Sequence, residues 1–201
     1  MTVSASALGS RAQPELFESS PVTLGWIESP LGPLVAGAAD RGVCLLEFSD
    51  RRMLRTQIAT LRRRLRAEVV PGEHPLLAQL AAELAEYFAG RRRGFTFPLH
   101  YPGSEFQRSV WDALLRIPYG ETTSYEALAA SVGRAGAQRA VGKANGDNRV
   151  AIVIPCHRVV RKDGTLCGYG GGLWRKQRLL ELERGITPLG LECAPAAEGR
   201  N

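Results

Sequence analysis

Residues 150–154, Val-Ala-Ile-Val-Ile, form an unbroken apolar and mostly β-branched run that ends at Pro155 and is followed at once by Cys156, His157, Arg158, Val159 and Val160. A run of that kind has to be buried, so the fold must place a thiol at the end of an interior element. A free cysteine titrates near about 8.5, and to act as a nucleophile near neutral pH it needs a base or a positive field beside it. His157 is the candidate in sequence. The alternative is plain packing, because buried cysteines are common small hydrophobes.

The rest of the chain supplies a core and a surface for that element. At 201 residues it can form one domain or two small ones, and no apolar run reaches the length of a membrane span. The four cysteines, Cys44, Cys156, Cys167 and Cys193, show no C-x-x-C spacing, which argues against a zinc knuckle or a disulfide framework and for a reducing, intracellular setting. A net charge of +6 suits a polyanionic partner but also a merely basic soluble protein.

Residues 1–21 are polar, carry no sustained period and read as a mobile N-terminal tail. Between residues 22 and 102 the pattern is that of an α/β domain. Short apolar strands at 22–27, 34–38 and 43–48 are separated by Pro/Gly and Asp-Arg-Gly turns and predict an antiparallel meander, with Cys44 in its core. Leu54, Ile58, Leu61 and Leu65 mark one helix, backed by an arginine-rich face read as solvated. Val69 and Val70 suggest an added strand, residues 76–88 a second helix, and the alternation at 95–99 a further strand.

Residues 103–186 read as a mainly α C-terminal domain. Ser104 can cap a helix through Leu115, Thr123 or Ser124 can cap the next, and residues 133–136, Gly-Arg-Ala-Gly, turn the chain into another helix from Ala137. Two helices joined by a glycine-bearing turn form a helix-turn-helix pattern. The second is sparse in side chains: Ala137, Ala140, Gly142 and Ala144 allow close approach, and only Gln138, Arg139 and Lys143 can bond at length. That suits backbone or minor-groove contact better than operator reading, and it equally suits tight helix packing. Residues 187–201 lack periodicity and read as a C-terminal tail.

The ordered features Ile-Pro-Cys156-His157-Arg158-Val-Val, then Gly168-Tyr169-Gly170-Gly171-Gly172-Leu173, then Lys176, Leu179, Leu180 and Glu183 resemble the O6-alkylguanine-DNA alkyltransferases, also called methylated-DNA–protein-cysteine methyltransferases. The resemblance runs from about Phe106 to Glu183, with a weaker echo before it. It implies a ribonuclease H-like N-terminal sheet with flanking helices, lacking a hydrolytic carboxylate cluster, ahead of the helix-turn-helix domain. It implies direct, stoichiometric repair of O6-alkylguanine, and of O4-alkylthymine, in double-stranded DNA, with base flipping and irreversible self-inactivation. By position Cys156 is the alkyl acceptor, with His157, Glu183 and Tyr125 as catalytic partners. Arg139 matches the arginine that fills the space left by the extruded base, and Tyr125 the tyrosine that crowds the adjacent phosphate and bonds the flipped guanine near N3. Gln107, Glu126, Arg134, Ala137, Ala140 and Lys162 fall at or beside DNA-lining positions. Asn148 matches the asparagine that joins the recognition helix to the active-site strand, where a purely structural role in the turn is equally open.

Tyr169, Gly170 and Gly171 read as a wall of the guanine pocket, and the small residues there predict room for bulkier alkyl groups. No cofactor and no metal are expected, since His74, His100 and Cys44 do not reproduce a ligand pattern. A monomer working in the cytoplasm, on the nucleoid in a prokaryote, is expected. Three rivals make different predictions: a helix-turn-helix regulator would prefer an operator, a cysteine hydrolase would turn over, and a lesion-binding relative would lack the reactive cysteine.

Overall fold

The computed structural model describes residues 20–186. The tails expected at 1–21 and 187–201 lie, apart from residues 20 and 21, outside the described residues. Three strands, β1 (Val22–Ile27), β2 (Leu34–Ala39) and β3 (Gly42–Phe48), form the expected antiparallel meander, and β4 (Val69–Pro71) adds parallel to β1, giving the order β3-β2-β1-β4. Helix α1 (Leu54–Leu65) packs against β3, turning its leucine stripe inward to Cys44 and Leu45. Helix α2 (Pro75–Phe88) buries Leu80, Leu84, Tyr87 and Phe88 on the other side. Each such side chain contributes about 1.5–3 kcal/mol when removed from water.

Residues 95–99 do not form the expected strand. Only Leu99 bridges to Val43, while Phe95 and Phe97 pack against each other, and Phe95 also meets the Tyr87 ring. Alternation here serves ring packing instead of sheet pairing.

Helix α3 (Glu105–Leu115) opens the helical half. Ser104 accepts from the Gln107 amide at 3.2 Å and the Gln107 side chain accepts from the Ser104 amide at 3.0 Å, a reciprocal cap. A two-residue strand, β5 (Thr123–Ser124), leads into α4 (Tyr125–Ser131), capped by Ser124, and a turn leads to α5 (Gln138–Gly146). The buried indole of Trp111 on α3 donates to Ala144 O at 2.9 Å and so fixes the depth of α5. The last elements among the described residues are β6 (Val159–Val160), parallel to β5, and α6 (Leu173–Glu183).

The run at 150–154 is buried as expected, but it is not a strand. Val150 bridges once to Leu46 of β3, and the chain then coils through tight turns, with Ile152 at a φ of 71°. Amide bonds of 2.8 Å from Val153 to Ala151 O and from Cys156 to Ile154 O close those turns. The β-branched composition reflects burial on every side, not a pleated partner. One continuous apolar cluster crosses from Leu46 and Phe48 to Val110, Trp111, Val150 and Ile154, so the two halves share a core around this segment.

Candidate active site

Cys156 begins a single 3₁₀ turn, Cys156–Arg158, that is buried throughout. Its Sγ accepts from Asn148 Nδ2 at 3.2 Å, and the same amide group lies 2.9 Å from Ile154 O. Asn148 Oδ1 accepts from the Val150 amide at 3.0 Å, so one side chain ties the end of α5 to the cysteine turn. Burial pushes the Cys156 thiol up; the Asn148 bond and the positive charges of Arg51 and Lys176 pull it down, and Glu47 acts against them.

On the other side of the turn, Glu183 is surrounded by donors. Its Oε1 lies 2.9 Å from His157 Nε2, 2.7 Å from the Tyr87 hydroxyl and 2.9 Å from Arg158 Nη2; its Oε2 accepts from Arg158 Nε at 2.8 Å and from the Gly120 amide at 3.1 Å. Gly120 takes a φ of 81°, and a Cβ there would stand 3.0 Å from Glu183 O, so glycine lets its amide come this close to the end of α6. Burial would raise the Glu183 carboxyl, but the His157 and Arg158 bonds and charges outweigh it and hold the group well below the usual carboxylate range. An ionised Glu183 needs a proton on the facing nitrogen, so His157 carries it on Nε2 and presents Nδ1 as an acceptor. That Nδ1 is buried without a hydrogen-bond partner, and burial holds the imidazole below its ordinary value.

Thus the structure pairs Cys156 with Asn148 and His157 with Glu183, the two pairs being joined through the single turn that carries Cys156 and His157. Tyr125, at the start of α4, is half-buried beside them: a Cβ on Gly142 of α5 would lie 3.6 Å from its ring, and one on Gly168 would lie 3.9 Å from its hydroxyl. Burial, then Cys167, raises that hydroxyl, and Asn145 bonds it in the opposite sense. Tyr169 is half-buried with a buried hydroxyl that has no partner.

The glycines beside Tyr169 do not open onto empty space. A Cβ at Gly170 would stand 2.4 Å from Arg51 Cζ, and one at Gly171 would stand 2.6 Å from the Phe48 ring. The expectation of a pocket widened by these glycines is therefore corrected: they are small so that their loop can lie against the N-terminal half.

The DNA-facing candidates differ in exposure. Arg139 and Ala140 on α5 and Arg134 in the turn are exposed, while Ala137 caps α5 and is half-buried. Glu126 and Lys162 pair with each other at 2.9 Å. Gln107 is occupied by its cap and by Asp147, at 3.0 Å.

Sequence reasoning quotes Arg158 and Lys176 within the motif without giving them a role, and it misses Tyr87, Gly120, Glu47 and Arg51. Lys176 Nζ donates to Val159 O at 2.6 Å and to Cys167 O at 2.7 Å, bracing the loop after the cysteine. Among the described residues no group of three or more His, Cys, Asp or Glu is placed to hold a metal ion.

A buried cysteine flanked by an imidazole–carboxylate pair, carried by a helical domain docked on a small sheet, defines a two-domain protein built around one guarded thiol. The profile described as 6-O-methylguanine DNA methyltransferase, DNA binding domain, matches residues 105–185, and that described as its ribonuclease-like domain matches residues 22–101. The chain is 44% identical over 165 residues to the methylated-DNA–protein-cysteine methyltransferase of Mycobacterium tuberculosis, covering 82% of this chain and 94% of that one. It is 43% identical to the Mycobacterium leprae protein of the same name, covering 79% and 90%. The crystal structure of Mycobacterium tuberculosis OGT in complex with DNA superposes with a TM-score of 0.72 at 40% identity, covering 83% of this chain and 96% of that one. The chain belongs to the methylated-DNA–protein-cysteine methyltransferase family, with an N-terminal ribonuclease-like domain and a C-terminal helical DNA-binding domain. It is a DNA-repair methyltransferase of the kind that moves an alkyl group to a protein cysteine.

Proposed function

We propose that Cys156 is the acceptor, and that it takes the alkyl group from O6 of an alkylguanine, or O4 of an alkylthymine, swung out of double-stranded DNA. The observation that carries this reading is the buried thiol held by Asn148 at 3.2 Å next to the His157–Glu183 pair at 2.9 Å. Burial disfavours a free thiolate, so the proton leaves as the alkyl group arrives. It passes to His157 Nδ1, directly or through one water, and Glu183 and Arg158 stabilise the imidazolium and fix its tautomer. A sulfur–carbon bond forms as the carbon–oxygen bond breaks, and the electron pair leaves with the base, which takes a proton at N3 from the Tyr125 hydroxyl; water returns a proton to Tyr125 as the imidazolium releases the one taken from Cys156, so the net change is one hydrogen moved from sulfur to the base. The thioether has no good leaving group, so each chain reacts once. As written the transfer balances without a metal or cofactor.

A stacked base hides O6, and extrusion costs a few kcal/mol. We read α4 and α5 as a helix-turn-helix whose small-residue face lies close to the DNA, with Arg139 filling the vacated space and Arg134, Ala137, Ala140, Gln107, Glu126 and Lys162 around it. Tyr169 and the backbone of Gly170 and Gly171 would form the wall of the base pocket, with Asn148 behind it. The N-terminal half is read as a ribonuclease H-like sheet without its hydrolytic site. No helix among the described residues is long and apolar enough to cross a membrane; a monomer acting on the chromosome is the simplest state for this chemistry.

The test uses duplex DNA with one O6-methylguanine flanked by 2-aminopurine. Transfer is expected to stop at one methyl per chain, and fluorescence is expected to rise on binding for the native protein but little for Arg139→Ala. Repeated turnover, or a fluorescence rise unchanged in the variant, contradicts the reading.

A further inference from the structure

Arg51 belongs to none of the family motifs and lies in the turn between β3 and α1. Its side chain is only 9% exposed, and its guanidinium makes contacts in three places. It pairs with the fully buried Glu47 of β3. It donates to Gly146 O at 2.6 Å, at the last residue of α5, and to Asn148 O at 3.4 Å. It also lies directly under Gly170. Gln57 on α1 adds a second donor to Asn148 O at 3.1 Å. Two side chains of the N-terminal domain therefore grip the backbone of the residue whose amide reaches Cys156 Sγ.

We propose that Arg51, held in place by Glu47, is a positioning residue for alkyl transfer: one guanidinium fixes both the Asn148 backbone that aims the thiol and the Gly170 loop beside it. The proposal rests on the reading of Cys156 as the acceptor. A donor stabilises developing charge only if it is already in place, and a misplacement of about 1 Å can cost ~10²-fold in rate. Asn148 is held from the C-terminal domain through Ile154 and Val150, and from the N-terminal domain through Arg51 and Gln57. Removing the second pair leaves the side chain tethered but its backbone free to shift. The flat fork of arginine spans Gly146 and Asn148 together, which an ammonium group does not do.

The charged and titratable groups facing Cys156 come from every surrounding element. Arg51 and Glu47 face it from the N-terminal domain and Lys176 from α6, while the Tyr125 and Tyr169 hydroxyls face it from α4 and the glycine loop. Loss of Arg51 removes one of two cations and leaves Glu47 without its partner.

The experiment uses the full chain as native protein, Arg51→Met and Arg51→Lys. It reads the single-turnover transfer rate at saturating O6-methylguanine duplex, the Kd for that duplex, and the pH profile of Cys156 carbamidomethylation by iodoacetamide. Arg51→Met is expected to transfer about 10-fold more slowly or worse, with Kd within about twofold of native and the iodoacetamide profile displaced to higher pH. Arg51→Lys is expected to keep a near-native profile yet still transfer slowly, because charge survives and the fork does not. Native transfer and a native profile in Arg51→Met, or a defect confined to Kd, overturns the proposal. Should Arg51→Met fail to fold, native transfer by Arg51→Lys overturns it alone. A native protein that gains no methyl on Cys156 removes the acceptor reading itself; a native protein that does, with unaffected variants, removes only the role of Arg51.

Discussion

Cys156 stands between two walls of different construction. The wall built by the C-terminal half with Tyr87 is saturated at its carboxylate: five donors converge on Glu183, every one within 3.1 Å, and the open valence is His157 Nδ1, buried without a partner. Elsewhere around the thiol no such convergence is seen: the Tyr169 hydroxyl of the glycine loop and Asn145 Oδ1 on α5 are buried and unpartnered. An unpaired buried polar group costs roughly 1–3 kcal/mol, so a base that pairs such groups on entry offsets part of its own extrusion. The carboxylate side fixes a proton on His157 Nε2 and leaves Nδ1 to accept one; the other side holds buried oxygens without partners.

The sharpest way to break this contrast is Glu183→Gln. It removes the anion that pairs with the buried Arg158 and takes the orienting charge from His157. Loss of one partner from a buried ion pair destabilises by about 3–5 kcal/mol, and loss of a positioned acid–base system slows chemistry by ~10²–10⁴-fold. Urea unfolding and single-turnover transfer should both report the change; a stable variant with native transfer would mean that the saturated wall is ornamental.

A smaller effect separates the walls by pH. His157 and Glu183 both sit below their ordinary values of 6.5 and 4.5, so the unfolded chain binds protons that the folded chain refuses. Their contribution to stability is fully present above those ordinary values and is lost progressively as pH falls below them toward the lower folded values. Glu47 has the opposite sign: burial pushes it up to about 7 against the pull of Arg51, so the folded carboxyl holds a proton that the unfolded one releases. Its contribution is present below 4.5 and is lost as pH rises toward 7. Glu47→Gln should therefore steepen the loss of stability between pH 7 and pH 4.5 by on the order of 1–2 kcal/mol, measured by urea unfolding at several pH values. A flatter profile in the variant would reverse the assignment of the two walls.

The same division separates what could be read from the sequence from what could not. The meander, the helices and the capping of α3 and α4 follow from period, turns and local caps, all interactions within a few residues. Cys156, His157 and Glu183 were legible through a motif. Tyr87, Gly120 and Arg51 were not, because they meet their partners across 96, 63 and as many as 97 residues, and nothing in their own neighbourhoods marks them. The run at 150–154 misled for a related reason: burial on all sides selects the same β-branched residues as a central strand does. The pocket glycines looked like spare room, but only the docking of the glycine loop on Phe48 and Arg51 explains their size.

The most direct test of the acceptor assignment is peptide mass mapping of the native protein after incubation with O6-methylguanine duplex DNA. The peptide containing Cys156 should carry one methyl in place of one hydrogen, at a stoichiometry approaching one per chain, with Cys44 and Cys167 unmodified and Cys156→Ser unlabelled. A methyl found on another residue, or a Cys156→Ser protein that still accepts it, would contradict the assignment.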